Sequence, residues 1–144
     1  MSYSCDIIKY LVTKKNDVRG KKMNRSMMQV FVKASNKALE FYQNVFDAKV
    51  LCTYPNPDGT LMHSELDIFG QIMAVSELID ENVCTGNTMM FCLHFGEGKE
   101  PIVQKIYDAL KDEAVIISPL GPCSYSSLEA DLIDKFGVRW CIFV

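Results

Sequence analysis

The sequence lacks any long apolar run, which excludes a helix that crosses a membrane. Its uninterrupted apolar stretches, such as the one from Met89 to Leu93, are far shorter than the roughly 18 residues that such a helix needs. The first residues also lack a secretory pattern, because Asp6 and Lys9 interrupt the apolar stretch from Cys5 to Val12 and no cationic region precedes it. We therefore expect a cytoplasmic protein with no membrane partner.

Several local signatures of chemistry are also missing. The six cysteines form no CxxC or CxxxC pair, so neither a zinc knuckle nor a thioredoxin-type motif is available. The sequence contains no Walker motif, no GxGxxG, no GxSxG and no HExxH. A secreted disulfide scaffold would be shorter and denser in cysteine, so we interpret the cysteines as reduced thiols.

The composition is that of one folded domain with an unusual charge distribution. The chain has 144 residues, of which 49% are hydrophobic and 23% charged, as in ordinary globular domains. Residues 1–25 carry a net charge of +5 and the remainder carries −8. The basic segment could lie against the acidic body or a second subunit, or it could bind nucleic acid. We favour the first, because the acidic body would repel phosphate.

The two halves of the sequence repeat one pattern of apolar spacing and turn residues, which indicates two copies of one structural unit. The segment from Ala38 to Val45 has apolar residues at helical spacing, and the segment from Val103 to Leu110 repeats it with an offset of 65 between Tyr42 and Tyr107. Further on, ELDIFG at residues 65–70 is echoed by EADL at residues 129–132, followed by Phe136-Gly137. Each half therefore predicts the same order of elements, strand, helix and three strands.

The first half begins with a predicted strand at residues 28–33 and a helix from Ser35 or Asn36, either of which can cap it, to about Phe46. Strands at 48–54, 61–69 and 71–77 follow, separated by turns that proline and glycine mark. The second half predicts the corresponding elements at 88–95, about 100–111, 114–119, 126–133 and 138–143. Tyr42, Phe46 and Trp140 fall on faces that we expect to be core.

Three motifs, FYxxVF at residues 41–46, PDGxxMHSEL at 57–66 and DKFGVRW at 134–140, resemble the vicinal oxygen chelate superfamily. The PhnB-like branch is the most similar. The resemblance implies an α+β fold, in which two βαβββ modules form a curled mixed sheet that makes a cup, in a homodimer. It covers one PhnB-like domain at residues 27–144, with module one at 27–77, a linker at 78–87 and module two at 88–144. Residues 1–26 form a basic N-terminal extension outside it.

The third strand of module one carries candidate ligand-binding residues. His63, Glu65 and Asp67 alternate with apolar residues and point to one side. The resemblance places the MHSEL segment at the cup, so His63 and Glu65 become a ligand-binding wall, with His63 able to act as an acid or a base. The alternative is a solvated sheet face, which we expect for Asp67 near the hairpin.

Module two contributes further candidates. His94 and Cys92 share a strand face, and Arg139 alternates away from Trp140 and could hold an anionic group or remain a solvated rim charge. No base lies near Cys92 or Cys141 in the sequence, so neither is expected to be a nucleophile. The predicted ligand-binding residues are His63, Glu65, Cys92, His94, Arg139 and Cys141, and catalytic residues are not assigned.

The resemblance also bears on metal binding, because metal-dependent members place ligands on the first and fourth strands of each module. In this chain those positions fall on Met28, or Gln29 if the register slips by one, and on three further residues. These are Ala74, Met90 and Cys141. Thioether, methyl and thiol groups do not suit hard divalent ions, so we predict no metal and no cofactor. The alternative is a divalent metal at a non-standard site made by His63, Glu65 and His94.

The sequence thus supports two functions of different classes. The first is metal-independent binding of a small organic molecule in the cup of the sheets, with an anionic metabolite or an antibiotic among the candidates. The second is a metal-dependent lyase, isomerase or dioxygenase of the vicinal oxygen chelate type. Nucleic-acid association through residues 1–25 is a less favoured third.

Overall fold

The computed structural model describes residues 23–144 of the chain, so most of the predicted basic extension lies outside the described residues. The predicted order of elements is confirmed in both modules. Module one consists of strand β1 (Met28–Val32), helix α1 (Ser35–Phe46) and strands β2 (Lys49–Pro55), β3 (Leu61–Ile68) and β4 (Gln71–Glu77). Module two consists of strand β5 (Phe91–His94), helix α2 (Glu100–Leu110) and strands β6 (Val115–Gly121), β7 (Glu129–Ile133) and β8 (Arg139–Phe143).

Each module forms one four-stranded mixed sheet. The strand orders are β1-β4-β3-β2 and β5-β8-β7-β6, with the first pair of each sheet parallel and the others antiparallel. The two sheets and two helices make an α+β fold of paired βαβββ units. Among residues 23–144, no helix is both long and apolar enough to cross a bilayer.

One face of each sheet packs in a shared core with the helices. Val30, Met73, Val75 and Leu66 supply module one's part of it, and Trp140 and its neighbours supply module two's part. Trp140 is fully buried, its ring centroid 5.9 Å from that of Tyr42 and 5.0 Å from that of Phe46. The prediction that these rings belong to the core is therefore confirmed, and they join helix α1 to the sheet of module two.

The opposite face of each sheet, here called the distal face, presents a second set of side chains. In module one, cross-strand partners place four residues in a row across the sheet, namely Gln29, Ala74, Glu65 and Cys52. In module two the corresponding row is Cys92, Cys141, Asp131 and Ser118. Three of the six predicted ligand-binding residues lie in these rows, namely Glu65, Cys92 and Cys141.

The start of helix α1 differs from the prediction. Neither Ser35 nor Asn36 caps it, because the cap position is Ala34, in a left-handed conformation with φ 53°, and no side chain of the cap residue bonds to the helix. Instead, the carboxylate of Glu77 accepts hydrogen bonds from the backbone N–H of Ala34 at 3.1 Å and of Ser35 at 2.7 Å. The buried Ser35 hydroxyl accepts a bond from the N–H of Leu61 at 2.8 Å, so it is used to join the helix to β3.

Candidate functional site

A buried carboxylate lies at the centre of the distal face of module one. Glu65, in β3, is 6% exposed. Arg25, from the segment before β1, binds both of its oxygens, with N–O distances of 3.0 and 2.8 Å. His63 Nε2 lies 3.1 Å from Glu65 Oε1. His63 and Glu65, which were predicted to share one sheet face, are in contact, and Arg25 supplies a positive charge beside the carboxylate.

A β-bulge adds a thiol to this group. Val50 pairs with Leu66, but the next pair is Cys52 with Glu65, so Leu51 is an extra residue in β2. Without the bulge, Leu51 would lie opposite Glu65 and the side chain of Cys52 would point toward the core. Bulges often redirect side chains in this way. As a result, the ligand atoms of Cys52, His63 and Glu65 all lie within 4.8 Å of one another.

The charges in this cluster shift the acidities of its members. The hydrogen bonds from Arg25 hold the pKa of Glu65 below its ordinary value, opposed by burial, and the bond to His63 lowers it further. Burial, together with the negative charge of Glu65, raises the pKa of the Cys52 thiol. At neutral pH the metal-free cluster therefore holds an ionised carboxylate beside a protonated thiol.

Module two repeats this arrangement with different chemistry. A second bulge leaves Ile117 as the extra residue, so that Ser118 pairs with Asp131 as Cys52 pairs with Glu65. Asp131 is bound by Arg139 through two hydrogen bonds, at 3.0 and 2.6 Å. Each module therefore has a carboxylate at the same place, clamped by an arginine. Arg139, for which the sequence left open an anionic ligand or a solvated rim position, is paired with Asp131 on β7.

The other predicted residues of module two lie around Cys141. Its buried Sγ is 3.8 Å from an oxygen of Glu129. Burial comes first, and the electrostatic effects of the neighbouring Cys92 and Glu129 add to it in raising the pKa of the Cys141 thiol to about 12, which makes it a poor nucleophile. The His94 ring stacks on Phe143, with centroids 4.6 Å apart. His94 is not a member of the cluster of His63 and Glu65.

A cavity of about 700 Å³ runs along the free edge of β1. The linker after β4, the start of β5 and the turn at residues 136–139 form its other walls. Its lining is mainly apolar and rich in methionine, with Gln29 and Arg139 among the polar residues. Of the six predicted ligand-binding residues, only Arg139 lines this cavity.

No family model matches the chain, and no curated protein does. Solved structures do. A PhnB protein from Bacillus cereus is 20% identical, with a TM-score of 0.73 and coverage of 83% of this chain and 98% of that one. The fosfomycin resistance protein FosX from Listeria monocytogenes is 15% identical, with a TM-score of 0.60 and coverage of 85% and 90%. TioX from Micromonospora sp. ML1 is 19% identical, with a TM-score of 0.58 and coverage of 83% and 94%.

The chain has the vicinal oxygen chelate fold. This fold, also called the glyoxalase/bleomycin resistance fold, is the one that the sequence motifs predict, and it is shared by these neighbours. A fold of this kind hosts many functions. The function must therefore be argued from the side chains that this chain presents.

The metal of this fold does not fit the residues present at its usual positions. One FosX structure contains Mn(II). Here the register makes Gln29 the neighbour of Ala74 and Cys92 the neighbour of Cys141 on the first and fourth strands. Met28 faces the core instead. One amide, one methyl and two thiols are a poor donor set for an ion that prefers oxygen and imidazole ligands.

Two residues of the group around Glu65 were not predicted from the sequence, namely Arg25 and Cys52. Arg25 reaches Glu65 across 40 residues of sequence, and nothing in its local pattern indicates that contact. Cys52 lies on the distal face only because of the bulge, and the residues around it carry no glycine or other marker of one. The repeat offers one signal in retrospect, since Cys52 corresponds to Ser118 in module two.

Proposed function

We propose that the protein binds a small organic molecule in the cavity along the β1 edge, without a metal cofactor. The observation that carries this proposal is the cavity itself. Its volume of about 700 Å³ is within the range of roughly 300 to 1,000 Å³ that is typical of small-molecule sites. Its walls come from both modules, a common location for such sites.

The lining favours a ligand with an apolar body and few polar groups. Phe31, Met89 and Met90 line the cavity and are exposed, and they supply aromatic surface and flexible thioethers, which adapt to irregular apolar shapes. Arg139 is already neutralised by Asp131, with 2.6 Å between Nη2 and Oδ2. An anionic group on the ligand would have to compete with that carboxylate, so a neutral polar group is favoured at this end.

A pair of matched methionine variants tests the proposal. Met90 lines the cavity and is 43% exposed, while Met62 lies outside it and is 42% exposed. A glutamate at position 90 would place a charge among apolar walls. Native mass spectrometry of freshly purified protein reports any co-purified ligand, and titration with anilinonaphthalene sulfonate reports the empty cavity.

We expect the Met90→Glu variant to lose the co-purified molecule and to bind the dye at least about tenfold more weakly, which corresponds to about 1.4 kcal/mol. The Met62→Glu variant should behave as the parent does, and a chelator should change neither result. Equal dye binding by both variants, or loss of binding on chelation, would overturn the proposal.

A metal-dependent lyase, isomerase or dioxygenase is the alternative. The likeness to FosX supports it at the level of the fold, but the donor set at the usual positions argues against it. The cluster of Cys52, His63 and Glu65 offers metal ligands elsewhere, without indicating a reaction. We further propose a cytoplasmic homodimer that does not bind membranes or nucleic acid. Nucleic-acid association through residues 1–25 falls largely outside the described residues.

A further inference from the structure

We propose that Cys52, His63 and Glu65 form a Zn²⁺ site, which Arg25 closes when the metal is absent. The site lies on the distal face of module one and supplies one sulfur, one nitrogen and one oxygen ligand. A water molecule completes the four ligands that zinc commonly takes. This inference is separate from the binding of an organic molecule in the cavity, which it neither requires nor explains.

The three ligand atoms need only small shifts to reach the spacing of a zinc site. The ligand atoms lie within 4.8 Å of one another, and the shortest pair, His63 Nε2 and Glu65 Oε1, is 3.1 Å apart. Ligands at about 2.0 to 2.3 Å from a tetrahedral zinc ion are roughly 3.3 to 3.8 Å apart. Zinc replaces the direct contact between His63 Nε2 and Glu65 Oε1. Nε2 must then be the unprotonated ring nitrogen, and rotations of the His63 and Cys52 side chains bring the ligand atoms around the ion.

The bulge in β2 is the feature that builds the site. A regular strand would put Leu51 opposite Glu65, and an isobutyl group offers no ligand. The extra residue instead aligns Cys52 with Glu65. The bulge in module two aligns Ser118 with Asp131 in the same way, and there the residue that corresponds to His63 is Glu129. The two modules therefore share the backbone feature, but module one alone presents thiol and imidazole at these positions.

Arg25 occupies the place of the cation. A carboxylate that is 6% exposed requires a positive partner, and the guanidinium supplies it with two hydrogen bonds. The equivalent clamp in module two comes from Arg139 on β8, but the corresponding position in module one, on β4, is Ile72. The clamp on Glu65 therefore comes from a segment outside the sheet. Zinc can displace it without disturbing a strand.

The donor set selects zinc over harder ions. Thiolate and imidazole are borderline or soft ligands, whereas magnesium, calcium and manganese prefer oxygen. Cobalt(II) enters such sites in the same geometry and reports a bound thiolate through a charge-transfer band in the near ultraviolet. Cobalt is therefore the probe that identifies the sulfur ligand directly.

The experiment titrates reduced, metal-free, full-length protein with Co²⁺ and then with Zn²⁺. Cys52→Ser removes the sulfur ligand and His63→Asn removes the nitrogen ligand. Cys92→Ser is the matched control, since it removes a thiol from the distal face of module two. Arg25→Gln removes the competing charge, and circular dichroism of each metal-free variant checks that it is folded.

We expect the parent protein and Cys92→Ser to show the thiolate band, saturating at one cobalt per chain and abolished by zinc. Cys52→Ser should lack the band, and both ligand variants should bind zinc at least about tenfold more weakly. Arg25→Gln should bind zinc more tightly than the parent. Absence of the band from the parent protein, or its retention in Cys52→Ser, would overturn the zinc site. Unchanged or weaker zinc binding by Arg25→Gln would overturn the closing role of Arg25.

Met90→Glu should bind zinc as the parent protein does. Failure of cavity binding and failure of the zinc site are therefore distinguishable.

Discussion

At the scale of single residues, Asp134 of module two is a buried carboxylate that links to module one through the Tyr42 hydroxyl. It is 3% exposed. One oxygen accepts the N–H groups of Phe136 and Val138, and the other accepts the Tyr42 hydroxyl at 2.8 Å and the Trp140 indole N–H at 2.9 Å. Burial raises the pKa of Asp134, and these hydrogen bonds oppose the rise. Four donors thus compensate a carboxylate inside the core.

We expect Asp134→Asn to lower the free energy of unfolding by about 2 to 3 kcal/mol. The amide keeps one acceptor for the backbone, but its NH₂ group faces two donors, and a buried donor without an acceptor carries a cost of this order. Urea unfolding followed by the fluorescence of Trp140, the only tryptophan, measures the change. Asp112→Asn in an exposed turn is the control, and a loss below about 0.5 kcal/mol at position 134 would contradict the role.

Burial of single residues was predictable from the sequence, but their long-range contacts were not. The burial of Tyr42 and Trp140 was predictable, because helical and strand periodicity assign a side to each residue. The contact of Arg25 with Glu65 was not predictable, because an arginine side chain has several rotatable bonds and can reach many carboxylates. The path of the chain before β1 determines which carboxylate it contacts.

At the scale of elements, the cap of helix α1 depends on a residue from another strand. Ala34 adopts a left-handed conformation that directs its own N–H and that of Ser35 toward β4, where the Glu77 carboxylate accepts both. A negative group at a helix N-terminus is also favoured by the helix dipole. The sequence predicted a local cap because Ser and Asn are the common ones, and local patterns contain no information about Glu77.

The variant Glu77→Ala should lower the free energy of unfolding by about 1 kcal/mol, the usual cost of losing a cap. Chemical denaturation followed by far-ultraviolet circular dichroism measures the change. Glu81→Ala, in the exposed linker, should be neutral, and Glu77→Gln should fall between the two because its amide keeps one acceptor. An equal loss in the Glu77 and Glu81 alanine variants would show that general charge, rather than the cap, is responsible.

The elements themselves were predicted more accurately than their details. The repeat of strand, helix and three strands is confirmed, because alternation and helical spacing are local properties. The ends differ by a few residues, as with β7, which begins at Glu129 rather than at 126. The bulges at Leu51 and Ile117 were missed. Each bulge changes the facing of the residues that follow it in β2 or β6. Cys52 follows Leu51, which is why the thiol of the candidate zinc site was missed as well.

At the scale of the whole molecule, the two modules meet through their helices and the face of module two that carries Trp140. The core runs continuously from Val30 through Tyr42 to Ile142. The distal faces and the edge strands of the two sheets remain outside it, among them β1 and β5. Strands β1 and β5 each have a sheet partner on one side only among residues 23–144, and free edges of this kind invite pairing.

We expect the protein to be a dimer that uses these edges and the apolar surface beside them. Phe31 in β1 is 60% exposed and Met89 before β5 is 77% exposed, and a monomer rarely leaves such groups uncovered at a free strand edge. Both residues also line the cavity, so the second subunit would cover the open side of the ligand site. Light scattering at micromolar concentration should give twice the chain mass of 16.3 kDa.

Phe31→Glu should favour the monomer, because a charge at the interface must be desolvated. Ile79→Glu is the control, since Ile79 lies in the linker and is 74% exposed, and it should leave the dimer intact. A parent protein that is monomeric at this concentration would refute the dimer, and dissociation by both variants alike would refute the assignment of the interface to the β1 edge.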